Sequence, residues 1–236
     1  MKNIVLQIVV LLGAFFTGGN LYAQKVNQVI MVGGGSSHDY HRWYQQEDRD
    51  FLNQQSHLNV RYTENTDSLA DYLKNADLLI LVNNQEIAAR SKNAIEKHVA
   101  KGKPVLMLHA ATWYNWKDWP QYNLDYLSGG SNSHEKFQEF KHLVVNKAHP
   151  ITQGVSPQFY FKDELYIYQP ELKGRGIEVL LIGESLETGK VFPTVFTVKH
   201  PKAKLVGITL GHDEHSHLNE DYKTLLINSV NWALNL

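Results

Sequence analysis

Short apolar runs alternate with helix-forming segments from Lys25 onward, and this alternation is the feature that most limits the possible folds. The runs "VNQVIMV", "ADLLILVNN" and "KPVLMLH" have the length of strands, and their apolar character is typical of strands that helices cover on both faces. Polar segments such as "HRWYQQEDRDFLNQQ" lie between them and have the spacing of exposed helices. This order is typical of βαβ units. We therefore predict an α/β fold with a mainly parallel sheet.

The rest of the chain adds further strands, helix ends and one irregular region. Asp67 is a predicted N-cap of "SLADYLKN", and Ser91 is a predicted N-cap of "KNAIEKHVAKG", which Gly102 ends. The stretch 110–160 has poor periodicity and many aromatic, Gly, Asn and His residues, which favours a long insertion that builds a site. Strands are predicted at "NVRYTEN", "IEVLLIG", "PTVFTVKH" and "AKLVGITLG", before a C-terminal amphipathic helix, "EDYKTLLINSVNWALNL".

Composition and charge narrow the class of protein. The 236 residues are 43% hydrophobic and carry a net charge of −1, which suits one globular domain with a full-sized core. Lys and Arg are scattered along the chain, and this argues against nucleic acid as a partner because a basic stripe is needed to track phosphates. The chain has no cysteine, so a thiol nucleophile and disulfides are excluded.

The first 23 residues have the pattern of a secretory signal peptide. Lys2 forms a positive n-region, an apolar stretch follows from Ile4 to Phe16, and the small Ala23 marks the predicted cleavage point. A membrane anchor is the alternative, but the apolar stretch is shorter than the roughly 20 residues that a spanning helix needs. We expect residues 24–236 to form a single domain that is periplasmic or secreted, with no membrane association after cleavage.

Polar residues follow three of the predicted strands, and ligands bind at the carboxyl ends of strands in open parallel sheets. Gly34 and Gly35 follow the first strand and leave backbone N–H groups free near a ligand, although their spacing is not that of a nucleotide-binding loop. His109 ends a wholly apolar strand, at the kind of strand-to-helix elbow where related α/β enzymes place a nucleophile. It can serve as a general acid or base or as a metal ligand, whereas a core histidine bonded to backbone would give the same sequence.

The other strand ends supply further histidines. His38 and His41 follow the glycines as candidate acid/base groups or metal ligands, and His41 is equally consistent with an exposed position. In "GHDEHSH", His212 continues from a buried strand and is the stronger metal-ligand candidate. His215 and His217 are expected to lie solvated in a polar loop.

Acidic and aromatic residues complete the set of candidates. Asp163 and Glu164 lie between aromatic residues that can shield one carboxyl group and raise its pKa, although a solvated strand edge is the alternative. Trp113, Trp116 and Trp119 lie among polar residues in a pattern that suits stacking against a sugar ring, although a core-forming loop has the same composition.

Several motifs together resemble the trehalose-utilisation protein family, the ThuA-like domains, and they cover nearly all of residues 24–236. The resemblance implies a flavodoxin-like, three-layer α/β/α sandwich related to class I glutamine amidotransferases. In that fold His109 takes the place of the amidotransferase cysteine, so amidotransfer is excluded. His134 enters the candidate site only through this resemblance, alongside His38, Glu164 and His212. The motifs are "MVGGGSSHDYH", "VLMLHAATWYNW", "YLSGGSNSHEKFQEF", "NKAHPITQGV", "FKDELYIY" and "LGHD".

The family is associated with carbohydrate use, so we expect an exported protein of carbohydrate catabolism with a small-molecule sugar as its partner. The expected chemistry is His and carboxylate acid/base catalysis on a disaccharide or keto-sugar glycoside by a hydrolase, lyase or isomerase. His109, His38, His212 and Glu164 are the expected catalytic residues. A divalent metal such as zinc on His38, His109 and His212 is left open, as are a non-catalytic sugar-binding role and a homo-oligomer. The expected substrate-binding residues are Gly34, Gly35, Trp113, Trp116, His134 and Asp163.

Overall fold

The computed structural model describes residues 25–236, so the predicted signal peptide lies outside the described residues. No helix within this range is long and apolar enough to cross a membrane. The strands are β1 (Asn27–Val32), β2 (Leu58–Thr63), β3 (Leu78–Leu81), β4 (Val105–Leu108), β5 (Gly129–His134), β6 (Gln138–Val144), β7 (Gln158–Asp163), β8 (Tyr166–Pro170), β9 (Ile177–Ser185), β10 (Val191–Val198) and β11 (Leu205–Ile208). The helices are α1 (a π-helix, His41–Asp48, continued by an α-helix, Arg49–Asn53), α2 (Leu69–Tyr72), α3 (Ala89–Ala100), α4 (Glu214–His217) and α5 (Glu220–Leu234).

The main sheet has nine strands in the order β2-β1-β3-β4-β11-β10-β9-β6-β7. The first five strands in this order pair in parallel, and the pairings from β11 to β7 are antiparallel. The predicted α/β class is therefore confirmed, with a mixed sheet around a parallel core. Antiparallel pairing follows from the short connection between β9 and β10, because parallel neighbours need a crossover of a dozen or more residues. Strands β5 and β8 form a separate two-stranded sheet.

Helices cover both faces of the parallel core and give the three layers. On one face α1 and α5 pack against β1, β3 and β4, while α3 packs on the other face with the π-helix Tyr122–Leu127. Alternate residues of each central strand point into opposite clusters, and for this reason these strands are apolar throughout. The predicted inner face of α5 is buried, as Tyr222, Leu225, Leu226 and Val230 are each at most 1% exposed.

Some local predictions were wrong. The stretch 110–160 is not irregular, because β5 and β6 lie within it and β7 begins there. Strand β7 alternates exposed and buried residues, as an edge strand covered on one face does. Helix α3 begins at Ala89, so Ser91 does not cap it; Ser91 is buried within the helix and donates its hydroxyl to the carbonyl of Thr66, 2.6 Å away. Asp67 does not cap α2 either, whose N-cap is Ser68.

Candidate functional site

Four ligand-type side chains converge above the carboxyl ends of the parallel strands. His38 follows β1, His109 follows β4 and His212 follows β11, and these strands lie close together in the sheet. Glu164 arrives from the antiparallel part of the fold, in the two-residue link between β7 and β8. The structure therefore brings together the four residues that the sequence analysis named as catalytic, whereas His41 lies exposed on α1.

His109 occupies a strained turn directly after β4. Its φ angle is +41°, in the left-handed region that residues other than glycine seldom adopt. The side chain is fully buried, and Nδ1 lies 2.8 Å from the carbonyl oxygen of Thr209. Because a carbonyl oxygen only accepts hydrogen bonds, Nδ1 carries the proton and Nε2 presents its lone pair to the site. Burial lowers the pKa of His109 well below its usual value, so the ring is neutral.

His38 lies against His109, with 2.9 Å between the two Nε2 atoms. Its Nδ1 is 2.6 Å from the hydroxyl oxygen of Ser37, whose own position is fixed by the side-chain amide of Asn84 at 2.9 Å. Burial, together with the positive charge of His212, lowers the pKa of His38 to about 4. Two neutral imidazole rings therefore meet at the floor of the site.

Glu164 is the anionic member of the cluster. Its Oε2 lies 3.3 Å from Nδ1 of His212 and 3.7 Å from Nε2 of His109, and its Oε1 lies 3.5 Å from Nε2 of His134. Burial alone would raise the pKa of Glu164, but the neighbouring imidazoles, His212 first, lower it overall. The same contact raises the pKa of His212. Glu164 thus links His109 and His212 to His134 at the cavity mouth.

A buried polar layer supports these side chains from below. Asp163 is fully buried and accepts hydrogen bonds from the backbone N–H groups of Glu164 at 2.7 Å and Gly211 at 2.9 Å. Burial raises its pKa to about 6, against the opposing effect of those two donors. The Asp163 side chain therefore holds the backbone of the site in place. It was expected to bind substrate, but it does not line the cavity. The prediction that His217 is solvated was wrong, because its side chain is fully buried beside Asp48.

A small cavity of about 200 Å³ opens above the cluster. Trp113 lines it, but Trp116 and Trp119 do not: each is 3% exposed and packs in the core around Tyr122. Their expected role as a sugar platform is therefore wrong for both residues, and the core alternative holds. The many aromatic residues in this segment reflect a core cluster of Trp116, Trp119 and Tyr122 on one face of the sheet. The cavity-lining residues are Ser37, His38, Asn84, Ala110, Trp113, Asn115, His134, Glu164 and Tyr166.

The two glycines shape the loop that carries His38. Gly34 and Gly35 have φ angles of +102° and +135°. A Cβ at Gly35 would lie 1.9 Å from Oδ1 of Asn84, so the loop can approach Asn84 only without a side chain there. Neither glycine is among the cavity-lining residues, and both act by placing the loop.

A larger groove, about 510 Å³, lies between α2 and α3. Lys101 and Lys103, just before β4, are among its lining residues, so this groove is at the opposite end of the strands from the histidine cluster. Ligands of open parallel sheets bind at the carboxyl ends. The smaller cavity is therefore the candidate functional site.

Sequence reasoning missed Tyr166 and the residues that hold the histidines. The Tyr166 hydroxyl lies 3.0 Å from Nε2 of His109, close to where Glu164 faces the cavity. Tyr166 stands two residues after Glu164 in "DELYIY", so proximity in the motif was an available signal. Thr209 and Ser37 act through a backbone carbonyl and a loop hydroxyl, and only tertiary structure identifies such contacts.

The cluster has the chemistry of a metal site. His38, His109, His212 and Glu164 each offer one ligand atom, and these atoms lie within 4.8 Å of one another. Imidazole nitrogen and carboxylate oxygen are the usual ligands of Zn²⁺ and related ions. Asp213, Glu214 and His215 form a second close group, but Glu214 and His215 are exposed on the surface.

Comparison with solved structures places the fold among known proteins. A ThuA-like protein from Parabacteroides merdae matches with a TM-score of 0.77 at 19% identity, over 89% of this chain and 90% of that one. A ThuA-like protein from Bacteroides uniformis matches with a TM-score of 0.75 at 19% identity, over 92% of this chain and 94% of that one. The glutaminase domain of CTPS from Trypanosoma brucei matches with a TM-score of 0.55 at 11% identity, over 89% and 94%. The fold is thus also that of glutamine amidotransferase domains, as the sequence motifs implied.

A comparison with curated proteins finds no match. The family described as "ThuA: Trehalose utilisation" matches residues 28–233, which is nearly all of the part of the chain that the structure describes. The chain belongs to the ThuA, or trehalose utilisation, family.

Proposed function

We propose that this protein is a sugar-processing enzyme of carbohydrate catabolism, acting on a disaccharide or a keto-sugar glycoside in the cavity above His109. The observation that carries the proposal is that His38, His134 and Glu164 line one cavity together with the indole of Trp113. The link of the family to trehalose utilisation supports a sugar as the substrate. Aromatic faces beside polar groups suit sugar rings, whose two sides differ in polarity.

The size of the cavity supports a substrate of which only one sugar ring fits inside. At about 200 Å³ the cavity is smaller than the roughly 300–1,000 Å³ typical of pockets that enclose a whole ligand. One sugar ring therefore occupies the cavity and the second group of the glycoside stays outside. This arrangement puts the bond between the two groups near the mouth, where His134 is 34% exposed.

His134 is placed to transfer the proton. Its Nδ1 lies 2.7 Å from the backbone carbonyl of Glu135 and donates to it, so Nε2 is free to accept a proton from the substrate. The protonated ring is then stabilised by Oε1 of Glu164, 3.5 Å from Nε2. His109 was the expected general base, but it is fully buried and is not among the cavity-lining residues, so we assign it a supporting role.

The reaction proposed is proton abstraction next to a sugar carbonyl. His134 takes the proton from the carbon adjacent to the carbonyl, where it is acidic enough for an imidazole base. The electron pair left on that carbon expels the glycosidic oxygen from the next carbon, and the protonated His134 then returns its proton to that oxygen. When the oxygen does not leave, return of the proton to a different position gives isomerisation instead.

Product analysis tests this function. The purified protein is incubated with a panel of disaccharides and their 3-keto derivatives, next to the His134→Ala and His41→Ala variants. We expect turnover by the parent and by His41→Ala, whose histidine is exposed on α1, and a loss of roughly 10²–10⁴-fold in His134→Ala. Saturable sugar binding without any product would contradict an enzyme and favour a carbohydrate-binding role.

We also propose that the protein is exported, on the sequence pattern of residues 1–23. N-terminal sequencing of the protein from cell fractions tests this. A mature chain that begins at Gln24 in the periplasm or medium is expected, and an intact Met1 terminus in the cytoplasm would contradict it.

A further inference from the structure

The position of the proton on His109 determines whether its Nε2 atom can bind a metal ion. Since Nδ1 donates to the carbonyl of Thr209 at 2.8 Å, Nε2 has a single lone pair that points at the other members of the cluster. In metal-binding histidines the ring nitrogen that does not bind the metal usually donates its N–H to a backbone carbonyl or a carboxylate. This contact fixes both the tautomer and the ring orientation.

Two groups compete for that one lone pair. The Tyr166 hydroxyl lies 3.0 Å from Nε2 of His109, and Nε2 of His38 lies 2.9 Å from the same atom. One lone pair cannot accept a full hydrogen bond from both. A cation between the two imidazoles removes the competition, because both nitrogens then direct lone pairs at the ion. His38 is able to do so, since its Nδ1 lies 2.6 Å from Ser37 Oγ and can donate its proton there.

The contact between the remaining two members, His212 and Glu164, is not a satisfied hydrogen bond. Nδ1 of His212 is buried and has no hydrogen-bond partner among residues 25–236. It faces Oε2 of Glu164 at 3.3 Å, in a contact that does not have the direction of a hydrogen bond. An unpartnered buried nitrogen beside a carboxylate oxygen is costly by itself, and a shared cation satisfies both atoms.

We propose that His38, His109, His212 and Glu164 bind one divalent transition-metal ion of the zinc class. In a tetrahedral Zn²⁺ site with ligands at about 2.0–2.1 Å, the ligand atoms lie about 3.3 Å apart. Three of the six corresponding distances here are 2.9 Å for His38 to His109, 3.3 Å for His212 to Glu164 and 3.7 Å for His109 to Glu164, and the four ligand atoms all lie within 4.8 Å of one another. Three imidazole nitrogens disfavour Mg²⁺ and Ca²⁺, which prefer oxygen ligands.

The ion lies beside the cavity, since His38 and Glu164 also line it. Metal binding itself does not depend on sugar chemistry, but the role of the ion rests on the proposed function. There it acts as a Lewis acid on the sugar carbonyl oxygen and stabilises the negative charge that develops when His134 removes the neighbouring proton. His134 remains free for proton transfer because its nearest contact in the cluster is the other oxygen of Glu164.

Metal binding is tested on the whole purified protein after treatment with a chelator. Zn²⁺ is titrated into the apoprotein against a chromophoric chelator, and the metal content is measured by mass spectrometry. We expect one equivalent per chain, and an affinity weakened by more than about tenfold in His212→Ala and His109→Ala, since even supporting residues of metal sites cost that much. His212 is the more informative position because its side chain is 28% exposed, so the variant is expected to fold.

His215→Ala is the matched control, because His215 belongs to the exposed acidic group three residues away from His212. Zn²⁺ binding that is unchanged in this control supports the proposal, provided that far-UV circular dichroism of His212→Ala matches the parent. Parent apoprotein that binds Zn²⁺ no more tightly than His212→Ala overturns it. One bound equivalent without turnover of any sugar leaves the metal site standing and contradicts only the proposed function. Turnover that is undiminished after complete metal removal overturns the Lewis-acid role.

Discussion

Asp163 and His217 bind opposite polar ends of the same residue, Gly211. Oδ2 of Asp163 accepts from the Gly211 N–H at 2.9 Å, and Nε2 of His217 donates to the Gly211 carbonyl at 3.0 Å. Burial alone would lower the pKa of His217, but Asp48, 2.8 Å from its Nδ1, raises it overall. A buried ion pair therefore fixes the backbone immediately before His212, so the position of that ligand depends on residues well below the cavity.

Replacing Asp48 with Asn tests this buried pair. The change leaves the His217 charge buried without its counter-ion, and breaking a buried pair in this way typically costs about 3–5 kcal/mol. We expect a loss of that order in the free energy of unfolding, measured by denaturant titration. Asp125→Asn makes the same chemical change in the exposed pair with Arg175, and a loss below about 1 kcal/mol is expected there. Equal losses at the two positions would contradict the support assigned to Asp48.

Gly211 itself allows a second prediction. Its φ angle is +127°, and a Cβ there would lie 2.8 Å from the Tyr44 hydroxyl, which donates to the Gly211 carbonyl at 2.6 Å. Gly211→Ala therefore adds a steric clash to backbone strain. Gly189 also has a positive φ, but at +68° it lies in the left-handed region that L residues can adopt, and a Cβ there would meet no described atom within 4 Å, so Gly189→Ala is a control with less strain and no clash. We expect a clearly lower melting temperature for Gly211→Ala than for Gly189→Ala, and the reverse order would rule out the clash.

Sequence patterns predicted the half of the site that lies on parallel strands. His38, His109 and His212 each follow an apolar strand of the parallel core, and parallel strands place their carboxyl ends at one edge. Glu164 and His134 could not be placed in that way. They come from β7, β8 and β5, whose antiparallel pairing depends on contacts between distant parts of the chain. For His134 only the family motifs indicated a place in the site, whereas Glu164 was also a candidate from its position beside Asp163 between aromatic residues.

Burial was the quantity that sequence patterns predicted least well. In "GHDEHSH" the last two histidines look equally solvated, yet His217 is fully buried while His215 is exposed. The difference comes from Asp48 and Tyr222 on two separate helices, which surround His217 with hydrogen bonds and a ring contact. Likewise, nothing local in "TWYNWKDW" separates Trp113 at the cavity from Trp116 in the core.

Trp113→Ala and Trp116→Ala are expected to affect different properties, sugar binding and stability respectively. Trp113 lines the cavity and is partly exposed, so its loss should weaken sugar binding with little change in stability. Trp116 is 3% exposed and donates to the carbonyl of Gln85 at 3.0 Å, so its truncation should cost about 3–5 kcal/mol of stability. Calorimetric titration with sugar and denaturant unfolding of both variants separate the two roles. A Trp113→Ala variant that binds sugar like the parent would remove this indole from the binding surface.

His142 sets a pH dependence of stability far from the site. Its ring stacks against both Phe159 and Phe161, with centroid distances of 4.7 Å and 4.1 Å, and neither ring nitrogen has a hydrogen-bond partner in the described part of the chain. Burial lowers its pKa to about 3 from the usual 6.5. Below pH 6.5 the unfolded chain therefore binds a proton that the folded protein does not, and stability falls as the pH falls toward 3.

His142→Phe removes the imidazole that binds this proton in the unfolded chain, and it keeps the aromatic stack. We expect the variant to lose less stability than the parent between pH 6.5 and pH 4, with a difference in slope that approaches about 1.4 kcal/mol per pH unit. Denaturant unfolding at several pH values measures that slope. A poorer fit of the larger ring lowers the whole curve without changing its slope, so packing and protonation are separable. His41→Phe makes the same chemical change at an exposed histidine and serves as the control. Identical slopes for His142→Phe and the parent would show that this buried ring does not limit stability in acid.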